Sequence, residues 1–135
     1  MVAVLAGFLL VSCTKKISQN NNITGKWEVR KSVGGFAGTI QYEPGQGPLY
    51  EFDTNEKFRV SRIFTPGGSG LSGSYALKSS RRPGDWLLEL SYLNAQTGHI
   101  DITTDSIRFE KNQLIFLPQA SCCDIPTTFL ERVVL

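Results

Sequence analysis

The feature that most constrains this chain is the alternation of apolar and polar residues in short runs from Ile23 onward. Residues 26–30, Lys-Trp-Glu-Val-Arg, place Trp27 and Val29 on one side and three charged residues on the other. A period of two is typical of β-strands with one buried face, and no run shows the 3.6-residue period of an amphipathic helix. The pattern therefore predicts an all-β domain.

Clusters of turn-forming residues separate the runs. Gly, Pro, Asn and Asp recur at residues 53–56, 82–85, 94–98 and 110–112, where they favour hairpin turns. The alternating runs lie at residues 26–30, 38–42, 49–52, 57–64, 73–78, 86–92, 100–103, 107–109, 114–116 and 127–135. We expect about eight or nine short strands in an up-and-down antiparallel barrel, with a β-sandwich as the alternative, because a barrel leaves no exposed sheet edges.

The first thirteen residues have the pattern of an export signal. Residues 1–12 carry no charge and end in Leu-Val-Ser before Cys13. This run is shorter than the ~20 residues of a spanning helix, and it has the length of a signal-peptide apolar region. The alternative is a buried N-terminal element with an ordinary core cysteine.

The tetrapeptide that ends at Cys13 resembles the bacterial lipobox. The resemblance implies that residues 1–12 are a lipoprotein signal peptide, that Cys13 is the site of lipid attachment and that residues 13–22 are a flexible tether. It also implies a protein anchored in the bacterial cell envelope outside the cytoplasm, with the outer membrane as the expected membrane.

The segment Thr-Gly-Lys-Trp at residues 24–27 resembles the Gly-x-Trp motif that opens lipocalin-like barrels. The aromatic-x-Phe-Asp run of residues 50–53 and the Gly-x-Tyr run of residues 73–75 are similar to those of small bacterial lipocalin-like lipoproteins. The resemblance covers residues 23–135. It implies that Trp27 plugs the closed end of a barrel and that Arg132 packs across its ring.

Composition and motifs argue against several functional classes. The 14 basic and 12 acidic residues are dispersed and give a net charge of +2, so we expect no nucleic-acid partner. The sequence has no Gly-x-Ser-x-Gly elbow and no His-Glu-x-x-His helix, and His99 is its single histidine. Cys122 and Cys123 are adjacent, which suits two reduced thiols or a strained vicinal disulfide better than a zinc site. We predict no catalytic residues, no metal site and no cofactor.

Four residues are candidates for ligand contacts. Phe58, Tyr75 and Trp86 belong to the inward-facing aromatic set, and alternation places Arg62 on the face of Phe58. An arginine inside the barrel would need a carboxylate from a ligand or from the protein, for which Asp85 and Asp101 are candidates. In the alternative, which we favour, the strand bulges or twists and Arg62 reaches solvent.

These features predict a non-enzymatic, membrane-anchored protein that binds a small apolar or amphipathic ligand inside its barrel. The alternative is an envelope structural or protein-interaction module with a packed core, which binds protein partners through loops at residues 34–48 and 65–72, because a small barrel can fill its own interior with side chains.

Overall fold

The computed structural model describes residues 23–35, 38–63, 70–118 and 126–134. Within these ranges the chain forms nine β-strands in one antiparallel sheet, which confirms the predicted all-β class. The strands are β1 (Gly25–Val33), β2 (Ile40–Gln41), β3 (Leu49–Phe52), β4 (Lys57–Ser61), β5 (Leu71–Ser79), β6 (Asp85–Leu93), β7 (Ile100–Glu110), β8 (Gln113–Leu117) and β9 (Thr127–Arg132).

The sheet closes on itself because β9 pairs with β1. The closing register runs from Trp27 opposite Arg132 to Val33 opposite Thr127. Since β9 occupies one edge of β1, the strands β2 and β3 share the other edge, where β3 takes the first half of β1 and β2 takes the second. Strands β1 and β3–β9 therefore form a closed eight-stranded up-and-down barrel, and β2 is an extra strand outside it.

Alternation along each strand supplies the core. The most buried apolar side chains come from strands on all sides of the barrel and form one cluster. Its members are Ile23, Trp27, Val29, Phe52, Phe58, Val60, Tyr75, Leu88, Leu90, Ile107, Leu114 and Leu130. Burial of one such side chain contributes roughly 1.5–3 kcal/mol, so this cluster is the main source of stability.

One end of the barrel is plugged by the residues around Trp27. The indole Nε1 donates a hydrogen bond to the Ile23 carbonyl at 2.7 Å, and the ring of Phe109 lies 6.3 Å from the indole. The Arg132 guanidinium stacks 4.3 Å from the indole centroid and donates to the Thr24 carbonyl at 2.7 Å. This is the arrangement that the resemblance to lipocalin-like barrels implies, and the barrel is compatible with that fold.

Strand β7 differs from the expectation in a way that matters for the interior. The runs at residues 100–103 and 107–109 are parts of one strand of 11 residues. Ile102 and Ile107 are an odd number of residues apart, so they point to opposite faces of that strand. Ile107 is inside and fully buried, whereas Ile100 and Ile102 are 64% and 61% exposed on the outside. The inward positions are therefore Asp101, Thr103 and Asp105.

Several sequence predictions lie outside the described residues. These are the signal peptide of residues 1–12, the lipidated Cys13, the tether of residues 13–22, the pair Cys122 and Cys123, and most of the loop at residues 65–72. In the part of the chain that the structure describes, no helix has the length and apolar character needed to cross a bilayer.

The plug explains the glycine of the Gly-x-Trp motif and gives a testable prediction. Gly25 has a φ of 127°, and a Cβ there would lie 2.7 Å from Nη1 of Arg132. We expect Gly25→Ala to lower the free energy of unfolding by about 1–3 kcal/mol, because the backbone is strained and Arg132 must leave the indole. Urea denaturation measures the loss.

Gly84→Ala is the matched control. Gly84 also has a positive φ, 84°, but a Cβ there would meet no atom within 4 Å. The loss at Gly25 should exceed the loss at Gly84, and the part of the excess that comes from the contact with Arg132 should disappear when Arg132 is also replaced by alanine. Equal losses at the two glycines would contradict the proposed role of Arg132.

Candidate functional site

Arg62 lies outside the barrel wall. Strand β4 ends at Ser61, and Arg62 adopts a left-handed backbone with a φ of 58°. Its Nη1 donates to Oε2 of Glu28 at 2.5 Å, and its side chain is 42% exposed. The inward orientation alongside Phe58 is therefore wrong, and Arg62 reaches solvent as in the alternative interpretation.

The two suggested partners of Arg62 are engaged elsewhere. The Asp85 carboxylate accepts a hydrogen bond from Nε of Arg108 at 2.7 Å, and the Asp101 carboxylate accepts one from the Asn94 amide at 2.7 Å. The carboxylate that does pair with Arg62 belongs to Glu28, which no pattern in the sequence singles out.

Glu28 anchors the loop between β2 and β3 to the outside of the barrel. The Gly45 N–H donates to both carboxylate oxygens of Glu28, at 2.9 and 3.0 Å, and Arg30 lies 3.8 Å away. Glu28 is 5% exposed although its position on β1 faces outward, because this loop covers it. The buried carboxylate is therefore satisfied by protein groups, and we interpret the cluster as structural.

Two clefts flank this region on the outer wall. One, of about 310 Å³, is lined by Glu28, Arg30 and Arg62 among others. The other, of about 460 Å³, has Lys26, Glu51 and Arg59 in its lining.

Glu51 is ion-paired in the second cleft. It lies 3.4 Å from Lys26 and 2.8 Å from Arg59, its neighbours on the adjoining strands. Burial raises the pKa of Glu51, but the hydrogen bonds and charges of Arg59 and Lys26 outweigh it and lower the pKa overall. The carboxylate of Glu51 is therefore engaged by protein groups, as that of Glu28 is.

The other three candidates point into the barrel. Phe58 and Tyr75 are almost fully buried, and Trp86 packs against the same core. The Tyr75 ring lies edge-on to Phe52 at 5.1 Å, and its hydroxyl donates to the Asp53 carbonyl at 2.7 Å. The structure thus brings Phe58, Tyr75 and Trp86 together in the packed interior and leaves Arg62 outside.

A different set of inward residues lies toward the opposite end of the barrel from the Trp27 plug. We call this end the loop end, because the connections β1–β2, β4–β5, β6–β7 and β8–β9 lie there. Along β7 the inward positions change from fully buried Ile107, through half-buried Asp105, to exposed Thr103. Thr103 is thus an inward side chain that is accessible to solvent, whereas Asp101, nearer the loop end, is half-buried and accepts the hydrogen bond from Asn94.

Neighbouring strands contribute side chains to the same part of the interior. Tyr50 faces inward opposite Trp27, and its ring meets Phe116 edge-on at 5.3 Å. Thr128 is the register partner of Phe116. We call these residues the loop-end cup. Its floor is Tyr50, Asp105 and Phe116, and its walls include Tyr92, Thr103 and Thr128.

Burial shifts the pKa values of the two ionisable groups on the floor of the cup. Burial, reinforced by the negative charge of Asp105, raises the pKa of Tyr50 to about 12. Burial also raises the pKa of Asp105. Within the described residues, no hydrogen bond to the Tyr50 hydroxyl and no ion pair of Asp105 is found.

The cup contains a carboxylate, a phenol and aromatic rings. These groups can bind and orient a ligand, but no nucleophile–base pair stands among them. His99 lies in the exposed turn before β7. In the described ranges, no three His, Cys, Asp or Glu side chains converge in a way that could hold a metal ion.

Sequence analysis missed Asp105. The runs at residues 100–103 and 107–109 were predicted as separate short strands, which left the residues between them, including Asp105, without an assigned face. The phase is set instead by Ile107 and Phe109, which lie on the same strand without interruption. Continuity between the two runs was the signal that could have found Asp105.

Comparison of the chain with protein-family models, with curated proteins and with solved structures gave no match in any of the three.

The raised pKa of Tyr50 predicts a loss of stability at high pH. Between pH 10 and 12 the unfolded chain ionises Tyr50 while the folded chain keeps it neutral, so the free energy of unfolding falls as pH rises. A shift of the pKa from 10.0 to about 12 corresponds to a loss of up to about 2–3 kcal/mol. Denaturation at pH 9 and pH 11.5 measures it.

Tyr50→Phe is the control, since it keeps the ring and removes the ionisable hydroxyl. The variant should lose less stability than the wild type between these two pH values. An identical loss in both proteins would show that Tyr50 is not held neutral inside the barrel.

Proposed function

We propose that this domain is a binding protein that takes a small apolar or amphipathic ligand into the loop-end cup. The observation that carries the proposal is the change in exposure along the inward face of β7, from buried Ile107 to exposed Thr103. An inward side chain of a closed barrel is exposed only where the interior opens to solvent.

The shape of the interior supports the same function. The plug around Trp27 closes one end, and the packed core below the cup gives it a fixed floor. Inward positions above that floor include Thr103 and Thr128, where a packed scaffold would carry larger apolar side chains. Partly exposed Tyr92 adds an aromatic wall.

The lipobox resemblance supports a location for this activity. We propose that the domain is carried on a lipid anchor at Cys13, outside the cytoplasm in the bacterial cell envelope, with residues 13–22 as its tether. A membrane-anchored binding domain of this kind has no need of catalytic residues, so we propose a non-enzymatic role.

The packed-module alternative has one observation in its favour. Leu93, Ile100 and Ile102 form an apolar patch on the outer face, where Leu93 and Ile100 are register partners that are 62% and 64% exposed. Exposed patches of this kind often mark protein contacts. The patch lies on the opposite face of β7 from the cup, so separate substitutions test the two functions.

Native mass spectrometry of the full chain tests the ligand-binding proposal. We expect an adduct that organic extraction removes, and we expect Thr103→Phe to abolish it by filling the mouth of the cup. Ile102→Phe, one residue away on the outer face, is the matched control and should keep the adduct. A clean apo mass together with no uptake of a hydrophobic dye would contradict the proposal.

A separate substitution tests the anchor. We expect Cys13→Ala to abolish labelling of the protein by radioactive palmitate in a bacterial host and to move the protein out of the membrane fraction, because the thiol that is acylated is gone. Unchanged labelling in the variant would rule out Cys13 as the attachment site.

A further inference from the structure

We infer that the ligand of the loop-end cup is a small organic cation, an amine or quaternary ammonium group with an apolar substituent. The inference rests on the proposed function and adds the chemical class of the ligand. It follows from the sign of the charge inside the barrel and from the rings that surround it.

The position of Asp105 is fixed by the register of its strand. Asp105 is the partner of Leu88, which is fully buried in the core, so its side chain points to the interior. Phe116 is the partner of Ile107 on the next strand, which makes Phe116 a diagonal neighbour of Asp105, about 7–8 Å away along the same face. The ring of Phe116 in turn contacts the ring of Tyr50. The carboxylate of Asp105 therefore has two aromatic side chains near it.

The positive charges on the nearest strands face away from the cup. Lys78 on β5 pairs with Glu89 at 2.8 Å, and Arg108 on β7 pairs with Asp85 at 2.7 Å, both on the outer face. Burial raises the pKa of Asp105, and no ion pair of Asp105 is found within the described residues. A half-buried carboxylate without a cation has lost part of its hydration, and a cationic ligand would supply a partner.

The rings favour the same class of ligand. Aromatic faces attract ammonium groups, and the attraction grows when the cation is removed from water. The Tyr50 and Phe116 rings beside Asp105 would therefore bind an alkylammonium head group, while the exposed mouth at Thr103 leaves its apolar substituent a path outward. A fatty acid would place its carboxylate against the charge of Asp105.

Isothermal titration calorimetry at pH 7 with two probes of equal chain length tests the inference. The probes are octylammonium and octanoate, which differ in the charge of the head group. We expect the full chain to bind octylammonium at least about tenfold more tightly than octanoate, as expected for a desolvated cation beside a carboxylate and aromatic rings.

Asp105→Asn is the decisive variant because asparagine has nearly the same shape and no charge. We expect it to reduce the affinity for octylammonium about tenfold, to leave octanoate binding no weaker, and to raise the melting temperature. The melting curve shows whether the variant folds. Glu89→Gln, on the outer face of the neighbouring strand, is the matched control and should change neither affinity.

The outcomes separate the inference from the proposed function. Octanoate binding as tight as octylammonium binding, or an octylammonium preference that survives in Asp105→Asn, overturns the inference while the binding function stands. If neither probe binds and Thr103→Phe alters no adduct, both fail.

Discussion

Pairing of β9 with β1 decides which side of every strand faces the interior. Trp27 lies opposite Arg132, and Val29 lies opposite Leu130. Because register partners on neighbouring strands point to the same side of the sheet, this pairing determines which residues of the other strands face the interior. A slip of one residue in any strand would turn its buried side chains outward, which costs the burial energy of the core. The apolar core thus fixes the register, and the register then forces Asp105 inside.

The interior divides into a part that stabilises the fold and a part in which polar side chains are partly buried. Around the Trp27 plug the side chains satisfy one another, with Trp27, Tyr75 and Arg132 each donating to a backbone carbonyl. In the loop-end cup, burial raises the pKa of both Tyr50 and Asp105. A group that costs stability and has no described structural partner is a candidate for function, because structural groups are ordinarily paired.

Local alternation predicted most strands, because each run of period two reports its own buried face. Residues 49–52 were predicted as a strand and form β3 as expected. Alternation within one run does not show whether the next run belongs to the same strand. The runs at residues 100–103 and 107–109 are one strand, and for this reason the inward position of Asp105 was missed. The two orientations considered for Arg62 could not be separated for a related reason, since nothing local marks the end of β4 at Ser61.

The role of Glu28 depended on tertiary structure. On β1 it lies between inward Trp27 and Val29, where the pattern indicates a solvent-facing residue. It is buried because the loop that contains Gly45 folds back over it and Arg62 reaches it from β4. Contacts between residues 17 and 34 positions apart leave no trace in a pattern of period two.

The barrel is proposed to open at its loop end onto the half-buried carboxylate of Asp105. A high-resolution crystal structure of the full chain without added ligand would show this opening. We expect ordered solvent inside the barrel, in contact with Asp105 and reaching the surface past Thr103. Side chains that close over Asp105 and leave no solvent beside it, or an Asp105 that points outward, would contradict it.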